Sequence, residues 1–178
     1  AALLALIVRS GPVASVRVPT ICSLNGSVYG GGAEIALCCD FRVGVMGSRL
    51  SVPAAQLGVC YPVGGLRRYV ERLGLAASSR VLLASEGLDS DEMLRLGFLT
   101  HLVEPHDLRT ATHTLATKLA SLAPLAVQGM KRIMLDIVAG EVDATAAARL
   151  IARCADSNDL KEGFAARREN RTPRFEGR

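Results

Sequence analysis

The chain has 178 residues, 49% of them hydrophobic and 21% charged, a balance that supports a packed core and excludes a disordered chain. The net charge is +4, yet four Phe, three Tyr and no Trp offer no stacking platform for nucleic acid. No apolar run reaches the ~18–20 residues of a membrane span, so neither a nucleic-acid nor a membrane partner is expected.

Ala1 to Val8 is short and apolar, with no basic segment before it and no small-residue cleavage site after it. It reads as a helix entered from upstream rather than a signal peptide. Val18 to Leu24 predicts a strand ending at the Asn25-Gly26 turn. Gly30-Gly31-Gly32 follows, and Ala33 to Cys39 predicts a helix that starts after the glycines. Phe41 to Val45 predicts the next strand, so the order is that of a βαβ-type unit. Residues 47–65 read as loop. A helix from Leu66 closes at Gly74, Ala76 to Ser85 forms another, and Ser90 caps a third over Asp91 to Leu96. Phe98 to Val103 reads as a strand. Helices over Asp107 to Leu122, Pro124 to Val138, Asp143 to Ala155 and Leu160 to Arg168 complete the chain.

The five cysteines, Cys22, Cys38, Cys39, Cys60 and Cys154, are odd in number and match no CxxC or zinc spacing. They read as reduced, buried small hydrophobes of a cytoplasmic protein, and no metal site is expected. Arg167, Arg168, Arg171, Arg174 and Arg178 crowd the C-terminus. That cluster fits either a solvated tail or an anion site for phosphates. No role falls to His101, His106 or His113.

Asn25 to Glu34 (NGSVYGGGAE) carries the chemistry. Three glycines at a helix start let a ligand approach the backbone and leave free N–H groups there, reinforced by the helix dipole. Such a place can stabilise an oxyanion, where one donor contributes about 3–4 kcal/mol to a transition state. Glu34, in the first turn, can serve as general acid or base beside it. The same residues also fit a plain tight turn and a carboxylate that merely complements the dipole. No GxGxxG dinucleotide fingerprint is present.

The run VPTICSLNGSVYGGGAEIALCCDFRV resembles the signature of the enoyl-CoA hydratase/isomerase (crotonase) family. Leu57-Gly58 with Pro62, Gly64 and Gly65 is similar to the family's next loop and helix start. Ala123-Pro124-Leu125-Ala126-Val127, and Asp159, Glu162-Gly163 and Arg171-Thr172-Pro173-Arg174-Phe175, resemble its C-terminal region and closing motif. The resemblance implies an α/β fold: a crotonase-like ββα spiral over 1–105, incomplete at its N-terminus, then a helical trimerisation region over 106–178. It implies an acyl-CoA substrate, a thioester enolate and no cofactor beyond the coenzyme A of the substrate. A homotrimer or dimer of trimers is implied too. Gly31 N–H would be an oxyanion donor and Glu34 a catalytic acid, with Gly30 and Gly32 lining the same site.

Departures from the family pattern bear on the reaction. The second hydratase carboxylate falls at Ala54, which cannot transfer a proton. Pro62 stands where a glycine N–H would hold the water, and proline has none. Efficient hydration is therefore not expected. Decarboxylation, non-catalytic acyl-CoA binding and a plain oligomerisation module are the alternatives. Tyr61 borders the pocket, as a hydroxyl donor or an aromatic lid. The CoA-contacting positions of the closing helix fall at Arg167 and Asn170, so Arg167, Arg168 or Arg171 would take the phosphates.

Overall fold

The computed structural model describes residues 11–178; the helix expected over Ala1 to Val8 lies outside the described residues. The chain divides into two compact units, one built on Thr20–Thr114 and the other on Leu115–Arg178 with Arg17–Pro19. After a helical turn, α1 (Gly11–Ala14), the first unit repeats a strand–strand–helix theme: β1 (Ile21–Leu24), β2 (Val28–Tyr29), α2 (Gly30–Cys38), then β3 (Phe41–Val45), β4 (Arg49–Ser51), α3 (Val63–Leu82). It closes with β5 (Leu88–Asp89), α4 (Ser90–Arg95), β6 (His101–Val103) and the start of α5 (Leu108–Ala120). First strands build one parallel sheet, β1-β3-β6, and second strands another, β2-β4-β5, in which β5 runs antiparallel. The expected ββα organisation is thus present in two successive units.

Local chemistry explains where the elements depart from expectation. The first strand begins at Ile21 rather than Val18, because Thr20 N and Oγ1 donate to Asp40 Oδ2 at 2.8 and 2.9 Å. The glycine triplet is the first turn of α2, not a turn before it. The 47–65 loop contains β4, three residues long, and α3 starts at Val63, on the Pro62 cap. Gly74, at φ 75° and ψ 165°, breaks α3 where a helix end was expected. Asp89, not Ser90, caps α4: its Oδ1 accepts from Glu92 N at 2.9 Å. Phe98 and Leu99 leave the ladder because Leu99 N bonds Met93 O, and both side chains fill the core instead.

Helix α2 is apolar on nearly every side, so it is a buried helix. Ala33, Ala36, Leu37 and Cys38 are closed off, in a core shared with Leu50, Tyr69, Leu88, Met93 and Phe98. Arg42, on β3, is buried as well, and burial pushes its guanidinium below its ordinary value. It donates to Phe98 O through Nε, to Cys39 O through Nη1 at 2.6 Å and to Gly97 O through Nη2 at 3.4 Å. A strand residue thereby pins a loop distant in sequence. Cys38 and Cys39 are buried as expected and Cys22 and Cys154 partly so, whereas Cys60 is exposed. The Cys22 thiol hydrogen-bonds Cys39, which lowers Cys39 to about 6 and pushes Cys22 up.

In the second unit, α6 (Pro124–Ala139), α7 (Ala144–Ala155) and α8 (Asn158–Arg168) pack in sequence. The C-terminal segment is docked rather than solvated. Buried Asp159 accepts from Glu176 N at 2.8 Å and Gly177 N at 3.0 Å, and Glu162 accepts from Arg174 N at 2.8 Å. Arg171 grips both Glu162 oxygens, at 2.6 and 2.8 Å, and also Glu169. No helix among the described residues is long and apolar enough to cross a membrane.

Arg42→Met will strand these carbonyls and cost about 1–3 kcal/mol or more in urea unfolding; an unchanged midpoint would contradict the pinning role. Glu162 is held down to about 2, first by Arg171 and then by Arg174 N–H. Its contribution is complete above the ordinary carboxylate value and disappears as pH falls towards about 2. Amides of residues 171–178 will therefore lose protection, measured against their intrinsic exchange rates, as the pH falls, and Glu162→Gln will lower that protection at neutral pH.

Candidate active site

Tyr29 occupies the cap position of α2 without a side-chain hydrogen bond to the helix start. The first-turn amides, those of Gly30, Gly31 and Gly32, lack partners within the helix by geometry. Gly30 has φ 46°, with open space where a Cβ would stand. That left-handed conformation favours glycine. Gly31 is buried and Gly32 exposed, so the triplet runs from core to surface.

One turn into α2, Glu34 is 1% exposed, and its Oε1 accepts from Arg68 Nη1 at 2.7 Å. Burying a carboxylate demands such a partner. Arg68 was not anticipated, because an arginine in a helix reads as a surface residue. Its spacing held the signal: Gly65, Arg68 and Tyr69 lie three and four apart, on one face of α3. That face meets α2 closely. A Cβ on Gly65 would lie 2.9 Å from Tyr61 Cδ1 and 3.2 Å from Glu34 Oε2.

Tyr61 is 6% exposed, just after the exposed stretch 55–60 and just before Pro62, the cap of α3. Tyr69 backs it, edge to face, with ring centroids 6.1 Å apart. Among the described residues, the two phenol oxygens have no hydrogen-bond partner. Burial pushes both phenols up, and the Glu34 charge adds to the shift. Ala54 lies buried in the same core cluster.

The structure thus brings together Glu34, the glycine triplet, Tyr61 and Pro62 in one unit. Arg167 and Arg171 belong to the other. Arg171 is committed to Glu162 and Glu169. Arg167 is exposed and lines an apolar cavity of about 300 Å³ with Leu125, Cys154, Leu160, Phe164 and Phe175. No group of three or more His, Cys, Asp or Glu that could hold a metal occurs among the described residues.

The sequence matches the enoyl-CoA hydratase/isomerase family over residues 11–178. The chain therefore belongs to that family, as the signature around Glu34 implied. A short-chain-enoyl-CoA hydratase of Clostridium acetobutylicum is 30% identical over 155 residues, 86% of this chain and 59% of that protein. A carnitinyl-CoA dehydratase of Proteus mirabilis is 32% identical over 90% of this chain and 64% of its own length. An enoyl-CoA hydratase/carnithine racemase structure from Magnetospirillum magneticum superposes with a TM-score of 0.88 at 27% identity, covering 95% of this chain and 63% of that one. The chain spans about three-fifths of the curated relatives it matches.

Gly65→Ala will force Tyr61 and Glu34 apart and cost about 1–3 kcal/mol, as overpacking does. A silent change in denaturant unfolding would show that α2 and α3 do not approach this closely.

Proposed function

We propose that the full-length protein is an enzyme of hydratase/isomerase type that takes an acyl-CoA thioester through an enolate. The observation that carries this reading is the uncapped glycine start of α2 with Glu34 one turn away. Gly31 N–H donates to the thioester oxygen as negative charge develops there, while Gly30 and Gly32 let the acyl group approach. Glu34 moves the proton. Tyr61 and Pro62 border the acyl group.

Arg167, which enters no ion pair among the described residues, is the better placed of the two arginines to meet phosphate, since Arg171 is already paired. No cofactor is invoked beyond the coenzyme A of the substrate. The reading takes the protein as cytoplasmic and as a homotrimer or dimer of trimers. Exposed Met130, Met134 and Ile137, a stripe along α6, support assembly.

Ala54 supports a second reading. Decarboxylation of a malonyl-type CoA needs the oxyanion donors but no second carboxylate, so it tolerates alanine where two-carboxylate hydration does not.

Turnover of crotonyl-CoA, a 3-enoyl-CoA and a malonyl-type CoA by the full-length protein distinguishes these reactions. Glu34→Gln should reduce the observed turnover by about 10²–10⁴-fold. Binding of all three without turnover would leave only an acyl-CoA-binding protein.

A further inference from the structure

A buried hydroxyl without a partner is costly, about 1–3 kcal/mol, and native cores contain few. Here one belongs to Tyr61, whose ring shares the Gly65 contact with the Glu34 carboxylate. Its protein neighbours bury the oxygen without giving it a bond. A ligand atom at the Glu34 site would supply the missing partner. Ala54, in the same core cluster, offers no proton of its own.

We propose that Tyr61 is the proton donor that works alongside Glu34 on the acyl-CoA. This rests on the hydratase/isomerase reading above and deepens it.

The step balances for an enoyl thioester. Glu34 takes a proton from water as the water oxygen bonds to Cβ. The C=C electron pair moves to form the enolate, whose oxygen is held by Gly31 N–H. The Tyr61 O–H bond then breaks and its proton passes to Cα. The proton on Glu34 returns to the phenolate, so one water is consumed and both side chains are restored. Burial and the Glu34 charge raise the Tyr61 phenol, so it carries its proton at neutral pH and serves as a donor rather than a base. Tyr69 is fully enclosed behind it and contributes packing.

The test uses the full-length protein with crotonyl-CoA as probe. Tyr61→Phe should lower kcat by about 10²–10⁴-fold, with KM near the wild-type value. Its thermal midpoint should be no lower, since the lost oxygen makes no protein hydrogen bond. Tyr69→Phe removes an equally buried oxygen one layer deeper and should turn over like wild type. Wild-type kcat in Tyr61→Phe, with Glu34→Gln dead, would overturn the donor role and leave the acyl-CoA reading intact. Equal losses in the two tyrosine variants, or a lowered midpoint in Tyr61→Phe alone, would also overturn it by showing a packing role. A wild-type protein inactive on crotonyl-CoA but active on a 3-enoyl-CoA or a malonyl-type CoA would overturn this inference alone, and one inactive on all three would remove the underlying reading with it.

Discussion

The Glu34–Arg68 pair is the constraint on which the first unit depends. A carboxylate 1% exposed is tolerated only beside a cation with good geometry, and Arg68 meets it from the next helix. The pair fixes the register of α2 against α3. Gly65 allows the approach, because any side chain there would strike the Tyr61 ring or the Glu34 carboxylate. The same contact that builds the core therefore sets where the polar atoms of the site lie.

The strands place the start of α2 by a second set of polar ties. Thr20 and Asp40 lock the entries of β1 and β3, and Arg42 reaches from β3 to the carbonyls of Gly97 and Phe98. These bonds sit at the ends of short strands, where ladder bonds alone are few. Helix α2, crossing between the two parallel strands, inherits its position from them. The β2 ladder ends at Tyr29, just before its glycine start, and Arg68 holds the helix one turn further on, at Glu34.

Much of this was legible in sequence where the signal is contiguous. The glycine triplet, Glu34, the Phe41–Val45 strand and the Gly74 break are local patterns, and each appears in the structure close to where it was expected. What escaped depends on partners distant in sequence. Strand β4 is three residues long and exists through its pairing with β2 and β5. The roles of Arg42 and Arg68 were not legible, because only the folded chain supplies the carbonyls and the carboxylate that bury them. Arg171, a candidate phosphate ligand in sequence, is paired in the structure with Glu162 on the preceding helix. The hydroxyl of Tyr61 was visible as a candidate, but its burial without a partner was not.

On the proposed reading, Ala54 gives this site a different logic from a pair of carboxylates. Two carboxylates in one pocket repel, and that repulsion itself raises one of them to make an acid. With one carboxylate, the distinction between base and donor must come from elsewhere. A phenol next to a carboxylate supplies it, because burial and the neighbouring charge act in the same direction on Tyr61. Arg68 holds the Glu34 carboxylate in place, its Nη1 donating to Oε1 at 2.7 Å. A single buried face of α3 supplies both Arg68 and the glycine that lets Tyr61 stand against Glu34.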